Sequence, residues 1–248
     1  MTEMIRDGSD SVPSKKFENT PRHIGIIMDG NRRFAKSLGL DPRKGHEYGE
    51  KKVQNLVEWC KEFDIKELTL YSFSIQNFNR PKKEFNYIMK LFAAAATRLL
   101  NDERLEKYEI KVKFLGRINM FPKNIQDLIN KIEEKTKNNK EYRINFAMAY
   151  GGKEEIIDGI KNLVDDVKKG IVKKESINEE LFEKYVYNSS EPDLIIRTGG
   201  EKRTSNFLMW QSSYSEWIFL DKSWPKFEKE DFEKCIEDFS NRERRIGR

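Results

Sequence analysis

The chain has 248 residues, of which 36% are charged and 37% are hydrophobic, so any sizeable core must lie beneath a strongly ionic surface. Its net charge of +5 is spread over 47 basic and 42 acidic residues, which favours an anionic ligand only weakly and lacks the concentrated basic face of a nucleic-acid-binding protein. With two cysteines and two histidines, the composition argues against a disulfide framework and a histidine-based zinc site, and it indicates a reducing compartment.

Residues 1–20 are polar, contain Pro13 and carry mixed charge, which predicts a flexible tail without a secretory signal. The longest apolar stretch, 87–100, is broken by Lys90 and Arg98 and is too short to span a bilayer. We therefore expect a cytoplasmic protein that contacts membranes at most peripherally.

After residue 20, β-like and helix-like segments alternate to the end of the chain, with no Pro/Gly-rich linker or internal repeat between them. This alternation predicts one α/β domain over residues 21–248, with right-handed crossovers and a mainly parallel sheet of roughly six strands flanked by helices. The predicted strands are 24–28, 67–73, 110–115, 143–150, 193–197 and 216–220. The predicted helices are 45–63, 83–107, 122–138, 152–169, 177–187 and 228–243.

Helix 83–107 combines a wide apolar face with a run of four alanines at 93–96. A patch of small residues on an apolar helix can line a cavity. The same patch can instead let two helices pack closely, and the sequence leaves both interpretations open.

The segment 23–34 is the most informative stretch of the chain. A short apolar run reads as a strand buried on both faces, and it ends at Asp29, which is followed by a Gly-Asn turn and two arginines. Open α/β sheets bind ligands at the carboxyl ends of such strands, and the first amides of the following helix favour an anion. One acid for a metal and two arginines for phosphate predict a diphosphate site.

Polar and basic residues follow three of the predicted strands, in segments 29–33, 74–81 and 197–207, with His46 downstream of the first. Because the carboxyl ends of parallel strands meet at one edge of a sheet, we expect the three segments to converge. Guanidinium groups suit bidentate phosphate binding, and more are present than one monophosphate needs, which predicts two polyphosphate groups. The arginines concerned are Arg32, Arg33, Arg80, Arg197 and Arg203.

Common nucleotide and hydrolase motifs do not fit the chain. The glycine spacing at 25–30 lacks the Lys-Ser/Thr of a P-loop, and no dinucleotide fingerprint or nucleophile elbow is present. Asp165 and Asp166 are followed by Val-Lys-Lys, unlike the Asp-Asp-x-x-Asp motif of all-helical prenyl synthases, and are interpreted as a solvated helix face.

Taken together, the motifs resemble those of cis-prenyltransferases of the undecaprenyl diphosphate synthase family. The resemblance implies a largely parallel sheet with a hydrophobic tunnel, and repeated cis condensation of isopentenyl diphosphate with an allylic diphosphate primer, farnesyl or geranylgeranyl. The product implied is a long polyprenyl diphosphate, such as undecaprenyl diphosphate for a glycosyl carrier lipid. The matching segments occur in family order and cover nearly everything after residue 20: 23–36, 68–81, 150–152, 193–211, 224–225 and 241–247.

The resemblance also implies residue roles. Asp29 would position Mg²⁺, Glu216 would supply a second carboxylate, and Asn77 would take part in proton removal, by orienting the substrate because an amide is a poor base. For Glu216, an ordinary ion pair at the start of a strand is the alternative. The implied substrate-binding residues are Gly30, Asn31, Arg32, Arg33, Phe34, Arg43, His46, Ser74, Ile75, Gln76, Phe78 and Arg80, with Arg197, Arg203, Thr204 and Ser205 for isopentenyl diphosphate.

The family usually forms homodimers, in which Arg245 and Gly247 of the terminal Arg-x-Gly would reach the partner's site. Arg32 stands where many bacterial members have glycine and resembles archaeal and eukaryotic members, which indicates an archaeal-type enzyme. Two alternatives remain: a non-catalytic subunit of a heteromeric cis-prenyltransferase, which would typically lack the metal acid and phosphate arginines, and a phosphatase-like protein, for which the chain offers no nucleophile.

Overall fold

A computed structural model describes residues 17–243 of the chain. In this part, six parallel strands form one sheet in the order β3-β4-β2-β1-β5-β6. Each predicted strand is confirmed to within one residue at either end. The strands are β1 His23–Ile27, β2 Glu67–Ser74, β3 Ile110–Leu115, β4 Tyr142–Tyr150, β5 Leu194–Arg197 and β6 Glu216–Phe219.

Helices connect the strands and cover both faces of the sheet. They are α1 Asn31–Ser37, α2 Lys44–Glu62, α3 Lys82–Leu100, α4 Arg104–Lys107, α5 Lys123–Thr136, α6 Gly152–Lys168, α7 Glu179–Phe182 and α8 Lys229–Ser240. Short 3-10 helices occupy Ile75–Asn79, Ile118–Met120, Lys174–Ser176 and Trp224–Lys226. Within the described residues, no helix is both long and apolar enough to cross a membrane.

Two helix predictions were wrong. The predicted helix 83–107 is broken after α3, because the Asp102 carboxylate accepts a hydrogen bond from the Arg104 backbone N–H at 3.0 Å and starts α4 separately. The predicted helix 177–187 shrinks to the single turn of α7, which Asn178 caps by accepting from the Leu181 N–H at 2.8 Å.

The predicted tail 1–20 falls mostly outside the described residues, but its last part is folded. The Phe17 ring packs 6.1 Å from the Phe63 ring, centroid to centroid, at the edge of the main core. The packed chain therefore begins before residue 21, the predicted boundary.

Successive side chains of β1 point to opposite faces of the sheet and pack in two different hydrophobic cores. Ile24 and Ile26 are fully buried against α2 and α8, while Ile27 faces a second cluster that contains Tyr150 and Phe207 on the other side of the sheet. This is the burial expected of a parallel sheet covered on both faces.

Strand β1 lies between β2 and β5, so the chain leaves β1 toward one side of the sheet and later returns on the other. Such a reversal opens a crevice at the carboxyl ends of the two flanking strands, where α/β proteins place ligands. Asp29 follows β1 at this crevice, and Thr198 follows β5.

Candidate active site

Asp29 is held through both its backbone and its carboxylate. Its Oδ2 accepts from Arg197 Nη2 at 3.0 Å, while its Oδ1 accepts from the Gly30 N–H at 2.6 Å and lies 3.5 Å from Arg33 Nη2. The Thr198 hydroxyl accepts from the Asp29 N–H at 3.1 Å and donates to the Asp29 carbonyl at 2.9 Å. The carboxylate is thus fixed between two guanidinium groups, and 31% of its side chain remains exposed.

Two glycines let the loop after β1 touch the loops after β5 and β6. Gly199 has a φ of 91°, and a Cβ there would lie 2.9 Å from the Asp29 carbonyl carbon. Gly30 has a φ of 97°, and a Cβ there would lie 2.7 Å from the Cβ of Ser223. Both positions combine a left-handed backbone with no room for a side chain, which only glycine tolerates readily.

Arg197 organises the loop after β5. Its side chain is 4% exposed, and Nη1 donates to Ser205 Oγ at 2.7 Å and to the Arg203 carbonyl. The Arg203 guanidinium, by contrast, is 60% exposed and pairs with Glu201 at 2.6 Å. A surface pair of this kind is worth little, so Arg203 can exchange Glu201 for a phosphate.

A second charged cluster surrounds Glu84 in the first turn of α3. This carboxylate is 8% exposed and pairs with Arg80, while Arg32 Nε lies 3.8 Å and His46 Nε2 3.9 Å from its Oε1. The predicted site did not include Glu84, although its position four residues after Arg80, one helical turn away, is a sequence signal for such a pair.

Several buried polar atoms of the site lack a partner. Within residues 17–243, six buried side-chain atoms make no hydrogen bond, and four of them lie here: Asn31 Oδ1, His46 Nε2, Arg80 Nε and Arg197 Nε. Leaving a buried donor unsatisfied costs about 1–3 kcal/mol, so the two unpartnered guanidinium nitrogens, Arg80 Nε and Arg197 Nε, favour a ligand that brings acceptor oxygens. Burial, helped by Arg80, lowers the pKa of His46 to about 4, so its ring is neutral at pH 7.

A cavity of about 700 Å³ adjoins the charged groups. Asp29 and Arg80 line one end, and Leu105 and Ile110 line the other; Ile110 opens β3, so the cavity reaches from the carboxyl edge of the sheet toward its amino edge. Ala95 and Ala96 are part of its wall, as one of the two interpretations of the alanine run predicted. The apolar walls between the two ends include Val53, Val57, Leu91, Phe92, Ile144 and Phe146.

Asn77 lines the cavity from the middle of the 3-10 helix that follows β2. Its Oδ1 accepts from the Ser74 N–H at 3.1 Å, and the Ser74 side chain accepts from the Asn77 N–H in return. With its amide oxygen engaged, Asn77 offers an NH₂ donor, which suits orienting an oxygen better than accepting a proton.

Five other predicted residues, Phe34, Arg43, Ile75, Gln76 and Phe78, are not among those that line the cavity. Arg43 pairs with Asp41, whose pKa it lowers to about 2, and is 41% exposed. Gln76 is exposed and Ile75 half-buried. The aromatic rings pack on neighbours, Phe34 at 5.3 Å from Tyr48 and Phe78 at 5.1 Å from Phe73, centroid to centroid.

Glu216 is not brought to Asp29 within one chain. It opens β6 and is in register with Leu194 at the start of β5, so it lies at the amino edge of the sheet, whereas Asp29 lies at the carboxyl edge. Its carboxylate accepts from Arg242 Nη1 at 2.6 Å, which is the ion pair that the alternative interpretation described. Arg245 and Gly247 lie outside the described residues.

The sequence also matches a known family. A family model described as "Putative undecaprenyl diphosphate synthase" covers residues 27–247. The chain belongs to this family. The predicted family, its α/β fold and its enzyme class, a polyprenyl diphosphate synthase, are thereby confirmed.

Members of the undecaprenyl diphosphate synthase family from archaea are similar to this chain. Two proteins named tritrans,polycis-undecaprenyl-diphosphate synthase (geranylgeranyl-diphosphate specific) illustrate this. The one from Methanocaldococcus jannaschii is 46% identical over 235 residues, covering 93% of this chain and 84% of its own length. The one from Pyrococcus furiosus is 47% identical over 230 residues, covering 92% and 87%. Both relatives are archaeal, which agrees with the archaeal-type enzyme predicted from Arg32.

Solved structures show the same fold. Lavandulyl diphosphate synthase from Lavandula x intermedia, in complex with dimethylallyl diphosphate, aligns with a TM-score of 0.86 at 31% identity, over 92% of this chain and 99% of its own. A "probable undecaprenyl diphosphate synthase" from Campylobacter jejuni aligns with a TM-score of 0.77 at 32% identity, over 93% and 100%.

Proposed function

We propose that this chain is a Mg²⁺-dependent cis-prenyltransferase that extends geranylgeranyl diphosphate with isopentenyl diphosphate units to a polyprenyl diphosphate of undecaprenyl length, for a glycosyl carrier lipid. The observation that carries the proposal is a set of unpartnered buried nitrogens: those of Arg80 and His46, which line the same apolar cavity as Asp29, and that of Arg197, which pairs with the Asp29 carboxylate. The primer and product follow the printed names of the archaeal relatives.

The two diphosphates would bind on opposite sides of Asp29. On the cavity side, Arg33, Arg80 and His46 would hold the allylic diphosphate, with the first amides of α1, which have no acceptor within the helix. The prenyl chain of the primer would then enter the cavity. On the other side, Arg203, Thr204 and Ser205 would bind isopentenyl diphosphate, supported by the buried Arg197.

The donor set fits Mg²⁺. Within the described residues, no three His, Cys, Asp or Glu side chains cluster into an all-protein metal cage. Mg²⁺ is typically bound by one or two carboxylates together with substrate phosphates and water, which matches the single, partly exposed Asp29. When bound, the ion would neutralise charge on the diphosphate. Glu216 lies at the opposite edge of the sheet, so it could add a ligand only from a second copy of the chain.

The side chains would promote departure of the allylic diphosphate. As the allylic C–O bond breaks, negative charge grows on the leaving group, and Arg33, Arg80 and His46 would stabilise it where it develops. Asn77 would orient the substrate while a diphosphate oxygen accepts the proton. An Asn77→Ala enzyme with near-normal turnover would contradict this role.

We favour an active homodimer of this chain over the alternative that the chain is the non-catalytic subunit of a heteromeric enzyme. A non-catalytic subunit would typically lack the metal acid and phosphate arginines, whereas this chain has Asp29, Arg33, Arg80, Arg197 and Arg203. Asp29 lies beside Arg33 and Arg197, and it lines the same cavity as Arg80. We propose that the terminal Arg-x-Gly completes the partner's isopentenyl diphosphate site, and that the product leaves through peripheral contact with a membrane.

The test is incorporation of labelled isopentenyl diphosphate with geranylgeranyl or farnesyl diphosphate, in Mg²⁺ or in excess EDTA, with products sized by chromatography. We expect long products that require Mg²⁺ and form faster from geranylgeranyl diphosphate. No incorporation from either primer would refute catalysis by this chain, and equal rates in EDTA would refute the metal requirement.

A further inference from the structure

The segment 203–208 after β5, which we call the Ser205 loop, has an unusual backbone. Ser205, Asn206 and Leu208 have φ values of 50°, 65° and 46°. Non-glycine residues adopt this left-handed region uncommonly, and they persist there only when surrounding contacts hold them. Three such residues within four positions therefore require an external restraint.

Asn206 supplies that restraint by capping α6, which is remote in sequence. Its carbonyl accepts from the Gly152 N–H at 2.7 Å, its Oδ1 accepts from the Lys153 N–H at 2.8 Å, and its Nδ2 donates to Glu154 Oε2 at 2.8 Å. The first N–H groups of a helix have no acceptor within the helix, so α6 gains its cap from the Ser205 loop, and the loop gains a rigid anchor.

The start of α6 is shaped to admit this loop. A Cβ on Gly152 would lie 2.8 Å from the Met209 backbone nitrogen, and a Cβ on Gly151 would lie 2.6 Å from Asn206 Nδ2. A side chain at either glycine would therefore push the loop away from the helix.

Ser205 lies between this anchor and Arg197. Its Oγ accepts from Arg197 Nη1 at 2.7 Å, and its carbonyl accepts from the Tyr71 hydroxyl at 3.3 Å. The Tyr71 ring stacks on Phe207 with centroids 4.8 Å apart. The loop is thus clamped on both sides, and its position depends on the hydrogen bonds that Asn206 makes to α6.

We propose that Asn206 is a positioning residue for isopentenyl diphosphate: it locks the Ser205 loop onto α6, and so fixes Arg203, Thr204 and Ser205 at the spacing that the diphosphate needs. The inference rests on the proposed function of these residues as ligands of the extender substrate. Because the capping bonds lie on the isopentenyl side of Asp29, loss of Asn206 affects that substrate and spares the allylic primer.

The test is steady-state kinetics of Asn206→Ala with each substrate varied in turn. We expect the KM for isopentenyl diphosphate to rise by about tenfold or more, since small misplacements of binding groups have effects of up to about 100-fold, while the KM for geranylgeranyl diphosphate changes less than about twofold. Equal rises in both KM values, or an unchanged KM for isopentenyl diphosphate, would overturn the proposal.

Two further variants separate positioning from general loss of structure. Asn206→Gly accepts the left-handed backbone but has no capping side chain, so it should reproduce the KM defect; wild-type kinetics would show that the cap is irrelevant. Asn178→Ala removes a comparable cap, in which Asn178 Oδ1 accepts from the Leu181 N–H at 2.8 Å on α7. It should leave both KM values at wild-type levels, and the same defect in this control would also overturn the proposal.

Hydrogen exchange gives a readout that does not depend on catalysis. In Asn206→Ala, the amides of Gly152 and Lys153 should exchange faster than in the wild type, with the protein still folded by thermal melting. Unchanged exchange would refute the lock itself. A wild-type protein that elongates no primer would refute the proposed function instead, so the two failures are distinguishable.

Discussion

Replacing His46 with asparagine should reduce the loss of stability that acid causes. His46 lies in the Glu84 cluster, where burial is the main cause of its lowered pKa, Arg80 and Arg32 lower it further and Glu84 raises it. The resulting pKa is about 4, against an ordinary value of 6.5. Between these values the unfolded chain binds a proton that the folded protein does not, so the free energy of unfolding falls as the pH falls.

The magnitude follows from the two pKa values. Each unit of pKa difference corresponds to about 1.4 kcal/mol. Between pH 7 and pH 5, His46 alone should therefore lower the free energy of unfolding by about 2 kcal/mol. The pKa of His23 is also lowered, chiefly by burial, but this residue is present in both proteins, so its contribution cancels in the comparison.

Urea unfolding of the wild type and His46→Asn at pH 7, 6 and 5 measures this difference. The wild type should lose about 2 kcal/mol more than the variant over this range. A diphosphate bound at His46 would favour the charged ring, so saturating inorganic pyrophosphate should bring the two pH profiles closer. Parallel profiles without ligand would refute the reasoning, because His46 would then titrate as an exposed histidine does.

Three further changes test other parts of the site. Ala95→Trp fills the cavity wall and should shorten the products seen by chromatography, whereas Ala94→Trp, at an exposed neighbour on the same helix, should not; equal product lengths in both would contradict chain growth in the cavity. Asp29→Asn should lower kcat/KM by about 100-fold or more, and should also lower the melting temperature because it leaves the buried Arg197 guanidinium without its carboxylate; near-normal activity would exclude Asp29 as the metal-positioning acid. Deletion of residues 244–248 should reduce activity far more than stability, and unchanged kinetics would remove the terminal Arg-x-Gly from the site.

The strands were predictable because apolar runs buried on both faces have few alternatives in an α/β pattern. Because the carboxyl ends of parallel strands share one edge of the sheet, Asp29 and Arg197 were expected to lie together, and their 3.0 Å contact confirms this. The break after α3 was missed because it depends on one side-chain cap, Asp102 to the Arg104 N–H, in a segment whose apolar pattern continues across it.

Site residues that depend on long-range contacts could not be found from the sequence. Asn206 caps a helix 53 residues earlier in the chain, and no pattern in the neighbouring sequence predicts that contact. For Glu216 the information was available: a residue that opens a parallel strand lies at the opposite edge from one that follows a strand, as Asp29 does. The family resemblance assigned both acids to one metal, and strand direction separates them within a chain.

The most direct test of the two-diphosphate site is a crystal structure with isopentenyl diphosphate, Mg²⁺ and an unreactive thio analogue of geranylgeranyl diphosphate. The site described above predicts the analogue's diphosphate against Arg33, Arg80 and His46, its prenyl chain in the cavity beside Ala95, and isopentenyl diphosphate against Arg203 and Ser205. A prenyl chain outside the cavity, or both diphosphates on the same side of Asp29, would contradict it.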